Sequence, residues 1–339
     1  MNNRSAGPRS FNTLQRSNRS ARLKRLQEAR ILLLAICALI LALALTGLVF
    51  LFCQIGHNVS AGVGGGKSGK VNYTMLNVSA KDETAEISIY RGNLILVNEA
   101  HSYHYPETRI EDMTESEKNA YSLMTYRVMV GNTYPYYVLP NSKNFYMIPE
   151  AAKAMGDLLT YHYNRTDEQL LVSAGYQQES AVSNGNYDQQ VGLSASIDND
   201  MGVSLKSDTC LKLIEEGVKF GFIQRFPSGK ASETGASGCT NVFRYVGVPH
   251  AGYITSKNLT LESYLKQLKS DFTYSKSHLL LNAEGEEVKA KDAVYEVYYV
   301  EAAEGDSTQV PVPKNYRYDI SGDNMGGFIV TVHLNSPVA

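Results

Sequence analysis

Two stretches decide how this chain reads: DQQVGLSASI (188–197) and, further on, CTNVFRYVGVPHAGYI (239–254). The first follows a strand-like run ending in SAGY (173–176). The second follows a helical run ending in FGFIQRFP (220–227), and LTLESYLKQL (259–268) closes the series. Strands and helices alternate here without an internal repeat, as in an α+β core.

Working outward, AEISIYRGNLILVN (85–98) contains two strand-like runs joined by the turn signal RGN. TESEKNAYSLMTYRVMV (114–130) opens with a capping-box pattern from Thr114 to Glu117 and predicts a helix. PEAAKAMGDLLTYHYNR (149–165), with Pro149 in its first turn and apolar residues at helical spacing, predicts another. QLLVSAGY (169–176) reads as a buried strand running into a turn. DTCLKLIEEGVKFGF (208–222) reads as an amphipathic helix stopping at Gly221, and TLESYLKQLKSDF (260–272) as a helix capped by Thr260. Beyond Tyr274 short β runs take over: HLLLN, AVYEVYYVEA, VPVPKNYRYDIS and FIVTVHL, separated by AEGEE and SGDNMGG. They predict a small β-rich module over 271–339, appended to a core over 71–270.

The N-terminal part has a different character. Residues 1–30 carry Arg4, Arg9, Arg16, Arg19, Arg22, Lys24, Arg25 and Arg30 against the single acid Glu28. The uncharged run ILLLAICALILALALTGLVFLFC follows, from Ile31 to Cys53. At about 1.5 Å per residue such a run crosses a hydrocarbon core of roughly 30 Å, and it exceeds an ordinary signal-peptide core. The basic excess places the N-terminus in the cytoplasm and the rest of the chain outside, as a single-pass signal anchor. The competing reading is a long signal peptide cleaved after Ala61; a lipid anchor on Cys53 is disfavoured because Phe52 stands where a small residue is expected. Residues 54–70, including the Gly/Ser-rich SAGVGGGKSGK, form a tether. GVGGGKSGK is not a phosphate loop, lacking the strand before it and the helix after it.

With 339 residues, 43% hydrophobic and 19% charged, the chain has the composition of a folded protein, and a net charge of −2 gives no field favouring nucleic acid. Two of its four cysteines, Cys37 and Cys53, belong to the apolar run. Cys210 and Cys239 lie beyond it, where a disulfide between them stays open.

The order of the strand with SAGY, DQQVGLSASI, GFIQRFP, FRYVG and HAGYI, with LILVN (94–98) upstream, resembles the VanY-type zinc D-alanyl-D-alanine carboxypeptidases over roughly 94–268. The resemblance implies an α+β fold of that family, with helices packed on a small antiparallel sheet. It also implies a zinc held by S-x-H-x-x-G-x-A-x-D and by E-x-W-H before F-R-Y-V-G. Three protein ligands leave a fourth position for a water that the metal acidifies and the first Glu deprotonates. An Arg in S-G-Y-R holds the substrate carboxylate.

Set on those motifs, this sequence differs at every such position. Gln189 stands at the first His, Ser196 at the Asp, Val242 at the last His, Asn241 at the Trp, Cys239 at the general base and Gln177 at the Arg. Gln189 is a weak neutral donor, Ser196 a hydroxyl, and Val242 has no donor atom. The substitutions therefore imply a member that lacks zinc and is non-catalytic. It would be an extracytoplasmic protein that binds peptidoglycan stem peptide or a cell-wall partner through a groove drawn from Tyr176, Gln177, Arg225, Arg244 and Tyr245. Arg225 and Arg244 read equally as carboxylate binders or as structural ion-pair members. The alternative is an active D,D-carboxypeptidase with a rebuilt metal site. A third reading, a purely structural or signalling ectodomain whose β module makes the partner contacts, is favoured if the cleft is filled by side chains such as Tyr187, Phe243 and Tyr245.

Other chemistry is weaker. His101 and His104 lie three apart in a loop with no third ligand spaced to join them, and His250 reads as a structural histidine. Ser183, Ser194, Ser196 and Cys239 carry no nucleophile signature.

Overall fold

The computed structural model describes residues 71–82, 85–103, 114, 124–125, 137–138, 146–177, 185–236 and 238–338. The basic tail, the apolar run over 31–53, the tether, His104 and Ser183 lie outside the described residues. Among the described residues no helix is long and apolar enough to cross a membrane.

The described chain is mixed α and β. In order it comprises β1 (Tyr73–Val78), β2 (Met124–Thr125), β3 (Tyr137–Val138), β4 (Tyr146–Met147), α1 (Pro149–Thr166), β5 (Leu170–Ala174), β6 (Ser194–Asn199), α2 (Ser207–Gly217), β7 (Phe222–Gln224), α3 (Ala231–Thr234), β8 (Val242–Tyr245), α4 (Val248–Ser256), α5 (Leu261–Asp271), β9 (Leu279–Leu281), β10 (Tyr295–Glu301), β11 (Thr308–Pro313), β12 (Tyr316–Gly322) and β13 (Gly327–Pro337). Five strands form one sheet in the order β3-β5-β6-β8-β7. Its pairs are antiparallel except β3 with β5. A second sheet runs β12-β13-β10-β9, and β1 pairs antiparallel with β11.

α1 forms where Pro149 suits the first turn and Met155, Leu158 and Leu159 repeat at helical spacing. Those residues pack on Leu170, Val172, Ala195, Ile197 and Phe243 of the five-stranded sheet. α5 starts where the Thr260 hydroxyl accepts the Ser263 amide at 3.1 Å, a cap worth about 1 kcal/mol. Its buried face of Leu261, Tyr264, Leu265 and Leu268 joins Leu279, Val297, Tyr299 and Ile329 in a second cluster. Alternation along β10 sends Val297 and Tyr299 to that cluster and Tyr298 to a third, with Val310, Val330 and Val332. The four-stranded sheet is thus apolar on both faces.

Two sequence expectations change. Neither strand-like run of AEISIYRGNLILVN is a strand, residues 85–90 forming bends and a turn. LILVN does not enter a ladder: the Leu94 amide donates to the Ser321 hydroxyl at 2.9 Å and the Leu96 amide to the Asp323 carbonyl at 3.0 Å. Alternation still holds for burial, with Leu94 and Leu96 in the second cluster and Ile95 and Val97 in the first. The segment is a seam between two cores, and the amides of Leu94 and Leu96 are satisfied by residues more than two hundred positions away. In the helix expected over 114–130, Met124–Thr125 is a strand paired with Tyr146–Met147; apart from Thr114, the rest of that stretch lies outside the described residues.

Candidate functional site

The site grows from the turn that opens DQQVGLSASI. Tyr187–Val191 make one 3-10 turn, ended by Gly192 at φ +70°, a left-handed conformation that glycine adopts without penalty. The chain then enters β6, which pairs with β8 so that Ser194 faces Arg244 and Ser196 faces Val242. On the other side of β6, Ser196 faces Ala174 of β5, and the Gln177 amide beyond it donates to the Gln189 carbonyl at 3.2 Å. Three segments distant in sequence thereby converge on Gln189, Ser196 and Val242.

Asp188 and Gln189 are neighbours with different surroundings. Asp188 is wholly buried and accepts from Arg225 Nε at 2.9 Å, from Arg244 Nη1 at 2.6 Å and from the Ser194 hydroxyl. Burial opposes its ionisation, but Arg244 and Arg225, aided by Ser194, hold its carboxyl below the usual carboxylate range. Arg225 also makes a two-pronged pair with Glu262 of α5, at 3.0 and 2.6 Å. Arg244 donates to the carbonyls of Asn93, Ile95 and Tyr245. Both arginines are fully buried and bound to the scaffold, which ties β7, β8, α5 and the LILVN seam together.

Gln189 instead donates from Nε2 to the Ser196 hydroxyl at 3.1 Å, and opposite Ser196 stands the isopropyl group of Val242. Asn241 Nδ2 donates to Asp198 at 2.9 Å. Cys239 is buried with Phe226, Ala236 and Val242, and burial pushes its thiol pKa up, which disfavours a thiolate ligand or nucleophile. Cys210 and Cys239 are not joined by a disulfide. An amide and a hydroxyl bonded to each other, an alkyl group and a protonated thiol do not fit a zinc ion. Among the described residues no three His, Cys, Asp or Glu side chains come together as a metal-holding group.

The remaining candidates separate. Tyr176 and Gln177 lie beside the 3-10 turn. Tyr245 does not: strand alternation sends Val242 and Arg244 to one face of β8 and Phe243 and Tyr245 to the other, into the core against α1. The Tyr245 hydroxyl donates to Glu150 at 2.6 Å and borders a separate polar cleft of about 370 Å³ with Asn93, Asp319 and His333. Tyr187 packs against the same core, so these three rings do not fill the space beside Gln189. His250 is buried and shares hydrogen bonds with Tyr264 (2.7 Å) and Thr331 (3.0 Å); burial lowers its pKa to about 4, so it is neutral. His101 forms a backbone bridge with Asn98.

Asp188, Ser194 and Glu262 were not singled out as partners of the arginines by sequence reasoning. The available signal was an acid placed directly before Gln189, with two arginines inside the matched motifs. Asn186 Oδ1 and Gln190 Nε2, both buried and without a hydrogen-bond partner among the described residues, had no sequence signal.

No family model matches the chain. A D-alanyl-D-alanine carboxypeptidase of Enterococcus faecium is 29% identical over 270 residues, covering 78% of this chain and 84% of that protein. The bifunctional D-Ala-D-Ala dipeptidase and carboxypeptidase VanXYC of Enterococcus gallinarum is 37% identical over 76 residues, 22% of this chain and 40% of the relative. Among solved structures, the vancomycin resistance D,D-dipeptidase VanXYg, in complex with a D-Ala-D-Ala phosphinate analog, superposes with a TM-score of 0.58 at 22% identity, covering 77% of this chain and 99% of that one. The relatives and structural neighbours are thus D-alanyl-D-alanine carboxypeptidases and dipeptidases of the VanY/VanX type, to which the chain is similar over most of its length, and it shares the fold of VanXYg.

Proposed function

We propose that this chain is a membrane-anchored, extracytoplasmic wall protein that binds peptidoglycan stem peptide, or a cell-wall partner, without hydrolysing it. One observation carries the proposal: the positions set against the family's metal ligands hold a Gln189–Ser196 hydrogen bond and the side chain of Val242. Binding needs only the scaffold and a complementary surface, whereas hydrolysis needs a group that activates water, and neither Cys239 nor Gln189 does so at neutral pH. The anchor rests on the basic tail and the apolar run from Ile31 to Cys53.

The test uses the full chain in detergent with a pentapeptide ending in D-Ala-D-Ala. The proposal expects saturable binding with the peptide recovered intact. Release of D-alanine would favour the active D,D-carboxypeptidase, and absence of binding would remove the stem peptide as ligand. Protease treatment of intact cells checks topology: the domain beyond residue 70 is expected to be digested from outside, and full protection would refute the orientation.

A further inference from the structure

His278, one residue before β9, has both ring nitrogens set against acceptors. Nδ1 meets Glu296 Oε1, and Nε2 lies 3.0 Å from the Tyr274 carbonyl, which can only accept. A neutral imidazole carries a single N–H and would turn a lone pair on one of these oxygens, whereas the imidazolium satisfies both. Glu296 is itself buried on β10, and the same Oε1 takes the Tyr73 hydroxyl of β1, so its charge calls for a cationic partner. Tyr274 stacks on the His278 ring with centroids 5.6 Å apart, Tyr298 of β10 lies at 4.7 Å and Tyr73 stands edge-on at 6.3 Å. Aromatic neighbours of this kind favour a cation among them.

Burial opposes protonation of His278, but the Glu296 carboxylate and the Tyr274 carbonyl outweigh it and raise the pKa above its ordinary value. Burial pushes the Tyr73 and Tyr298 hydroxyls far above the neutral range, so neither titrates there. The cluster joins elements that are otherwise held apart. Among the described residues β1 has a ladder with β11 alone, and it is open enough to leave Met75 57% exposed. Tyr73 carries it across to Glu296 in the four-stranded sheet.

We infer that Tyr73, Glu296 and His278 form a proton-operated clamp, which fastens β1 to the four-stranded sheet while His278 is protonated and loosens when that proton leaves. Because β1 follows the Gly/Ser-rich stretch directly, the firmness with which the preceding residues join the folded domain then depends on pH. The folded pKa is the raised one, so the clamp's contribution is complete below the unfolded value of about 6.5 and is lost as pH rises through the folded value.

Amide hydrogen exchange of the full chain in detergent, expressed at each pH as protection relative to the unstructured rate, tests this from pH 6 to 9. Protection of residues 73–78 is expected to fall by about tenfold for each unit by which folding raises the His278 pKa, while that of β13 stays level. His278→Gln is expected to give β1 a low protection that no longer varies with pH. Level protection of β1 in the unmodified chain, a fall shared equally by β13, or an unchanged fall in His278→Gln overturns the inference. Should that variant not fold, Tyr73→Phe, which removes only a hydroxyl, is expected to bring β1 at pH 6 down to its native protection at pH 9. Undiminished protection in Tyr73→Phe overturns the clamp equally.

Discussion

Asp188 and Gln189 sit side by side on one 3-10 turn and belong to different parts of the molecule. Asp188 faces two buried arginines and, through Arg225, reaches Glu262 on α5; every charge there has a partner. Gln189 donates to the Ser196 hydroxyl, opposite which stands the Val242 side chain, and none of these three side chains is charged. The first environment is dictated by folding, because a charge withdrawn from water must be paired. The second is not, because neutral side chains sit on the same backbone without penalty. The frame that aligns this chain with carboxypeptidases and the chemistry that makes a carboxypeptidase are therefore separable, one residue apart.

The largest effect that would sharpen this contrast is a gain. If the frame is intact and only the side chains differ, Gln189→His, Ser196→Asp and Val242→His together should bind about one zinc per chain with the tetrahedral preference of that ion, read by elemental analysis and cobalt substitution spectra. No metal uptake by a folded triple variant would mean that the backbone, too, has moved from a metal-holding geometry.

Next comes the charged side. Asp188→Asn leaves the buried Arg244 without its carboxylate and Arg225 with Glu262 alone, and about 3–5 kcal/mol of stability should be lost in a urea titration. A loss under about 1 kcal/mol would mean that water reaches the arginines. The same carboxylate sets an acid limit. Its folded pKa lies below the unfolded value of about 4, so its contribution is complete above that value and is lost as pH falls through the folded one. The urea midpoint of the native chain should therefore hold from pH 7 to about 5 and drop below about 4. The Asp188→Asn variant should show a smaller drop over the same range.

The neutral side should be far more tolerant. Ser196→Ala removes one hydrogen bond and should cost about 1 kcal/mol, measured by the same titration. A cost matching that of Asp188→Asn would erase the contrast between the two neighbours.

Much of the frame was legible in the sequence because its signals are local. Pro149 and the spacing of Met155, Leu158 and Leu159 mark α1, and Thr260 marks the start of α5. The family resemblance came from motifs that keep their order. What stayed hidden is non-local. LILVN alternates as a strand should, yet its backbone partners, Ser321 and Asp323, lie at the far end of the chain, and no short-range pattern distinguishes a ladder from such a seam. Arg225 and Arg244 were open between ligand and scaffold until Asp188 and Glu262 were found against them, 37 or 56 residues away. The positions of Gln189, Ser196 and Val242 followed from motif spacing; their hydrogen bond and register required the fold.

The most direct measurement is the zinc content of the full-length protein purified without chelator, repeated after incubation with excess zinc and removal of free metal. The account predicts no stoichiometric zinc in either sample. About one zinc per chain, accompanied by release of D-alanine from a peptide ending in D-Ala-D-Ala, would contradict it and require a metal site built from other residues.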